Sequence, residues 1–171
     1  MIYNSSSVGW NEWFMQGVYW VASKSKDPKT RIGAILVKDN RIISTGFNGL
    51  PQGVLDKPDR LERPLKYLYV SHAERNALYS AARHGIVTED SVLYTNALPC
   101  TDCMKGLIQS GIKNIYIHKQ FEDECGKITR TEWEKHKNIS MQMCKEADIQ
   151  LHEINIKLGI ETLLDGKLIP V

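Results

Sequence analysis

Two short strings hold the residue types that chemistry needs, His72-Ala73-Glu74 and Pro99-Cys100-Thr101-Asp102-Cys103. Cysteines three apart at the start of a helix present both sulfurs on one side of its first turn. The positive end of the helix dipole favours thiolates there. A histidine opening a second helix across the same sheet edge supplies a third ligand. Three nitrogen and sulfur donors make an open zinc site, because a closed structural site takes four. The fourth position is then left to water, whose pKa such a metal lowers toward neutrality. Glu74, two residues past the histidine, is badly placed to bind the same ion and well placed to accept and return a proton.

Each string alone has a plainer reading. Cys-x-x-Cys also serves redox chemistry or arises by chance, and His-x-Glu is commonly a solvated helix start. Together, each at a helix N-terminus with one strand between them, they are far more specific. A disulfide between Cys100 and Cys103 does not suit a reducing compartment. A structural zinc knuckle needs a fourth ligand, and no third cysteine or second histidine lies at a usual spacing. Cys125 and Cys144 are spaced unlike zinc ligands and read as ordinary thiols.

The elements that must position these residues follow from periodicity. Trp10, Trp13, Phe14, Gly17, Val18 and Val21 recur at helical spacing, and Asp27-Pro28 is expected to end that helix, since the residue before proline is pushed out of helical geometry. Two β-rich runs, Arg31–Val37 and Arg41–Phe47, are joined by Lys38-Asp39-Asn40 and predict a hairpin. Asn48 to Gly53 is dense in turn residues, and the charged stretch Val54–Tyr69 with Pro58 and Pro64 reads as a surface loop with room for a short helical turn. Ser71 is the expected N-cap of a helix over His72–His84, stopped by Gly85. Next come a strand at Ser91–Asn96, a helix at Cys100–Ser110 and a strand at Lys113–His118. A polar segment leads to a helix at Thr131–Ala147 and a fifth strand at Ile149–Ile154, and the tail is weakly patterned. A hairpin followed by β-α-β-α-β implies an α/β chain with a mixed sheet whose later strands are parallel.

At 171 residues and 42% hydrophobic content, the sequence suits one domain with a proper core. Twenty-two Lys and Arg against twenty Asp and Glu leave a formal net charge of +2. That argues against a disordered acidic tail and against wrapping nucleic acid by bulk charge, while leaving room for a small basic phosphate pocket. Four cysteines are too few for a disulfide scaffold. No run approaches the roughly 20 apolar residues of a membrane span, and the N-terminus has no basic-then-apolar signal pattern. The expectation is a soluble intracellular protein with no nucleic-acid and no membrane partner.

His-x-Glu followed by Pro-Cys-x-x-Cys is the signature of zinc-dependent base deaminases, and the chain resembles the deoxycytidylate (dCMP) deaminases among them. The supporting strings are Ser25-Lys26-Asp27-Pro28, Ile32-Gly33-Ala34 and Gly46-Phe47-Asn48-Gly49-Leu50-Pro51-Gln52-Gly53. They continue with His72-Ala73-Glu74-Arg75-Asn76-Ala77 and Leu107-Ile108-Gln109-Ser110-Gly111-Ile112-Lys113. The likeness runs in order over residues 10–118 and more weakly through the Trp133 helix to 154, and phage and viral members share its size and layout.

The resemblance implies a three-layer α/β/α cytidine-deaminase-like fold, a five-stranded mixed sheet with parallel strands 4 and 5. It implies a single deaminase domain over 1–171, with a catalytic core at 10–154 and an uncovered tail at 155–171. The implied activity is hydrolysis of dCMP to dUMP and ammonia, by a hydrolase acting on the amino group of a cyclic amidine, which feeds thymidylate synthesis. His72, Cys100 and Cys103 would hold one catalytic zinc, and Glu74 would shuttle the proton. Asn48 would hydrogen-bond the sugar or base, and the Ala73 backbone would face the pyrimidine. Lys26, Gly46, Asn48, Gly49 and Arg83 resemble the part of the family that binds dCTP as activator and dTTP as inhibitor, with Mg2+ accompanying the triphosphate. For Arg83 the alternative is a cation at a helix C-terminus, and for Asn48 a turn residue capping its own backbone.

The family commonly assembles as a homohexamer. The tryptophan-rich first helix would serve that contact or simply pack in the core. The implied setting is the cytoplasm, or the host cytoplasm for a phage or viral protein. Some phage relatives add a structural zinc with ligands near the N-terminus, but this chain has no cysteine before Cys100 and no histidine before His72. Around Gln120–Phe121 relatives place a tyrosine near the substrate, and Phe121 cannot donate that hydrogen bond. A tRNA adenosine deaminase, a free cytidine deaminase and a non-catalytic zinc-binding module are the competing readings, and dCTP stays open as a further substrate.

Overall fold

The computed structural model describes residues 8–128 and 131–171, so the polar opening Asn4–Ser7 lies outside the described residues. Helix α1 (Trp10–Ala22) ends with its C-cap at Ser23, short of the expected stop at Asp27-Pro28, and buries Phe14, Met15, Val18, Tyr19, Val21 and Ala22 along one face, while Trp10, Trp13 and Trp20 stay exposed. Strands β1 (Gly33–Lys38) and β2 (Arg41–Phe47) form the expected antiparallel hairpin. Asp39 and Asn40 both take positive φ, 51° and 56°. Aspartate and asparagine tolerate that left-handed backbone, which a two-residue hairpin turn needs at both central positions.

The sheet order is β2-β1-β3-β4-β5, with β3 (Val92–Thr95), β4 (Asn114–His118) and β5 (Gln150–Ile154). β1 pairs antiparallel with β2 and β3, whereas β3–β4 and β4–β5 are parallel, as the helices between them require. β1 lies inside the sheet and is buried on both faces, so it reads as a continuous apolar run. Ala34 and Leu36 face the side covered by α3 (Ala73–Arg83), α4 (Thr101–Gln109) and α6 (Thr131–Glu146). Ile35 and Val37 face α1, α5 (Lys119–Gly126) and the C-terminal residues Leu164 and Val171. Helices thus cover both faces, the expected three-layer α/β/α architecture.

Several expectations need correcting. The helix at 72–84 begins one residue late, with His72 and not Ser71 at the N-cap. Ser71 is held instead in a backbone bridge to Gly49, both of whose bonds are about as short as sheet bonds, 3.0 and 2.9 Å. The short helical turn allowed for in the loop at 54–69 is present, as a 3-10 turn at Pro58–Leu61 and a short helix, α2 (Lys66–Tyr69). The polar segment after β4 contains α5. The tail forms a second sheet from β6 (Glu161–Leu164) and β7 (Lys167–Pro170), turning at Asp165-Gly166 with both φ positive. It docks through Arg31 N–H to Leu163 O at 2.9 Å and Gly166 N–H to Lys29 O at 2.7 Å.

Candidate active site

Two helix N-termini meet beside the sheet. His72 is the N-cap of α3 and Cys100 the N-cap of α4, both with extended backbone. Cys103 occupies the third helical position, whose side chain lies above the cap. Gly46 on β2 sets how close α3 comes: a Cβ there would lie 2.2 Å from Ala73 O and 2.3 Å from Ala77 N. With no side chain at 46, the first turn of α3 rests directly on the strand.

The result is a tight donor set. His72 Nδ1 lies 3.4 Å from Cys100 Sγ and 3.5 Å from Cys103 Sγ. Their ligand atoms all lie within 4.8 Å of one another, the group of this kind found among the described residues. A tetrahedral zinc with arms of about 2.05 Å to nitrogen and 2.3 Å to sulfur has N···S edges of about 3.5 Å. The spacing therefore fits the ion, and both thiols are free and buried. Their electrostatics fit as well. Hydrogen bonds from Cys103 and then His72 hold Cys100 down to about 3 against its burial. Giving a hydrogen bond to Cys100 and being buried both push the Cys103 thiol up. Side by side, one sulfur ionises at the other's expense, and a bound divalent cation relieves that conflict by deprotonating both.

Glu74 is buried, 5% exposed, and its Oε2 accepts from Cys103 Sγ at 3.6 Å. Burial raises its carboxyl above the ordinary value, partly offset by the neighbouring His72. A carboxyl tuned upward beside a metal donor set is suited to proton transfer near neutral pH.

The other expected residues lie in a neighbouring polar cluster. Asn48 is buried: its Oδ1 accepts from Ile32 N–H at 2.8 Å, and its Nδ2 donates to Thr30 O at 2.8 Å and Asp27 Oδ2 at 3.4 Å. Asp27 also takes the buried Lys66 ammonium at 2.7 Å. Asn48 therefore braces the 27–32 segment against the end of β2, more than its own turn. Ala73 is fully buried, its carbonyl against Gly46. Gly49 makes the bridge to Ser71. Lys26 pairs with Asp56, and Arg83 in the last turn of α3 donates to Gln52 Oε1 at 2.8 Å, so both cations reach the loop that follows Asn48. Phe121 is wholly buried beside Tyr19 on the α1 face, away from the donor set.

Five buried side-chain polar atoms have no hydrogen-bond partner among the described residues: Ser71 Oγ, Arg75 Nε, Asn96 Nδ2, Gln120 Oε1 and Ser140 Oγ. Ser71 and Arg75 flank the His72–Glu74 string. The hydrogen bond to Cys100 raises the pKa of His72, and the nearby Arg75 charge offsets only a small part of that. Unpaired buried groups are expected where a polar ligand completes the bonding. Arg75, adjacent in sequence to Glu74, was open to notice on that ground.

A family model, the cytidine and deoxycytidylate deaminase zinc-binding region, matches residues 8–119. An uncharacterised deaminase in the luxG 3' region of Aliivibrio fischeri is 38% identical over 142 residues, 83% of this chain and 91% of that protein. The human deoxycytidylate deaminase is 34% identical over 122 residues, 67% of each chain. Among solved structures, the dCMP deaminase of cyanophage S-TIM5, also determined in complex with dCMP and dUMP, shares the fold. Its apo form has a TM-score of 0.62 at 24% identity, over 84% of this chain and 96% of that one. Taken with the His72, Cys100, Cys103 and Glu74 geometry, the match over most of the sheet makes this chain a member of the cytidine and deoxycytidylate deaminase family.

Proposed function

We propose that this protein is a zinc-dependent deaminase of dCMP, releasing dUMP and ammonia. The observation that carries the reading is a buried Glu74 carboxyl beside three donors spaced for zinc, in a chain 34% identical to a deoxycytidylate deaminase. His72, Cys100 and Cys103 hold the ion, which when bound supplies the Lewis acidity that makes water nucleophilic at neutral pH. Glu74 takes the proton of the attacking water and protonates the ring nitrogen beside the amino-bearing carbon. It then takes the remaining proton from the hydroxyl now on that carbon and delivers it to the departing amine as the C–N bond breaks and the carbonyl forms, so its raised pKa serves both directions. The Ala73 backbone faces the pyrimidine. Asn48, pinned by its own backbone contacts, keeps an Oδ1 lone pair for a sugar hydroxyl.

We place effector binding of dCTP and dTTP, with Mg2+ on the triphosphate, at Lys26, Gly46, Asn48, Gly49 and Arg83. Lys26 and Arg83 both grip the 52–56 loop, so a triphosphate that draws them off it would change the mouth of the site. Residues 1–171 act as one deaminase unit, its tail hairpin docked beside α1, and the assembled form is a homohexamer. The free thiols suit the cytoplasm. No helix among the described residues is long and apolar enough to cross a membrane.

A substrate panel tests the reading: ammonia release from dCMP, dCTP, cytidine and a tRNA, each with and without added dCTP or dTTP. The expected result is fastest release from dCMP, raised by dCTP and lowered by dTTP. Faster release from cytidine or tRNA overturns the substrate assignment, and indifference to both triphosphates removes the effector site.

A further inference from the structure

Every residue from Leu93 to Cys100 is buried, so the backbone leading into the first cysteine has no water to bond. The N–H of Leu98, two residues before Cys100, donates to Glu122 Oε2 at 3.0 Å. Glu122 sits on α5, only 5% exposed, and its other oxygen takes the Lys137 ammonium of α6 at 2.5 Å. One residue after Cys100, Thr101 Oγ1 shares a hydrogen bond of 2.7 Å with His136 Nδ1, also on α6. Cys100 is thus bracketed from both sides by α5 and α6, elements outside the metal motif. A buried carboxylate is costly unless it is paired and bonded. Here both of its oxygens are engaged, one by the cysteine loop and one by a lysine.

We propose that Glu122 and His136 are positioning residues of the metal site, a clamp that fixes the Cys100 loop so that its sulfur meets His72 and Cys103 at metal-binding distance. The inference rests on the zinc reading above. Groups that orient metal ligands typically govern affinity by 10- to 100-fold. Glu122 acts through the backbone, so the lower end of that range applies.

The test is zinc affinity of the full chain by chelator competition, with the thiolate charge-transfer and d–d bands of the cobalt-substituted protein as a second readout. Glu122→Ala is expected to weaken zinc binding about tenfold and shift the d–d bands. Glu122→Gln, whose amide oxygen still accepts the Leu98 N–H, should stay within about threefold of wild type. Asp123→Ala, on the exposed side of the same helix, should change neither. A folded Glu122→Ala protein with wild-type affinity and spectrum overturns the clamp, as does a Gln variant as weak as Ala. If Glu122→Ala does not fold, Thr101→Val decides: a loss of about threefold or more supports the clamp, and an unchanged affinity overturns it. A wild-type protein that binds neither metal overturns the zinc reading itself, and the clamp with it.

Discussion

Glu74 draws its chemistry from its place: buried at the start of α3, beside a sulfur, with its carboxyl raised by loss of water. Glu74→Gln preserves shape and leaves the three ligands untouched, so zinc content should stay at wild-type level. Turnover of dCMP should fall about 10³-fold or more, because positioned acid–base catalysis is lost. A variant with near-normal kcat would remove Glu74 from the proton path. At this scale the sequence was informative about geometry, since each donor lies within a few residues of a helix start and the two strings contain all four groups that the fold brings together. Asn48 was less legible. Its partners at Thr30, Ile32 and Asp27 are 16 to 21 residues away, and only the folded loop brings them together.

At the level of elements, the site depends on how closely α3 lies on β2. Gly46→Ala should destabilise the protein by about 3 kcal/mol, since the added methyl meets backbone atoms of α3 that cannot swing away. The surviving folded fraction should bind zinc more weakly, because the displaced turn carries His72. A denaturant melt and a zinc titration check both, and a neutral substitution would show that α3 has room to move. The hairpin at Asp39-Asn40 was readable because its turn residues announce the backbone. Helix α5 was not, since half of its eight residues are charged and only Phe121 and Glu122 are buried. The tail hairpin did carry a signal: Asp165-Gly166, a favoured two-residue turn pair, between Leu163 and Leu168. Its strands are only four residues each, and their docking against Lys29–Arg31 depends on contacts over 130 residues apart.

For the whole molecule, the parallel order β3-β4-β5 followed from helices alternating with strands, and the fold brings the His72 start of α3 and the Cys100 start of α4 together. What the pattern did not announce is the packing between layers. Tyr19, for example, bonds His118 Nδ1 at 2.7 Å across 99 residues, while His118 Nε2 donates to Ile156 O at 2.9 Å. That pair joins α1, β4 and the start of the tail, and burial holds His118 below its ordinary pKa, as a neutral ring. The near-balanced charge of +2 fits an enzyme for a small nucleotide, and two of its cations, Lys26 and Arg83, reach the loop after Asn48. The most direct test of this reading is ammonia release from dCMP by protein of known metal content. The native protein should carry one zinc per chain, lose activity when a chelator removes it, and regain activity when zinc is restored. Undiminished release from the metal-free protein, or none from dCMP with zinc fully bound, would contradict it.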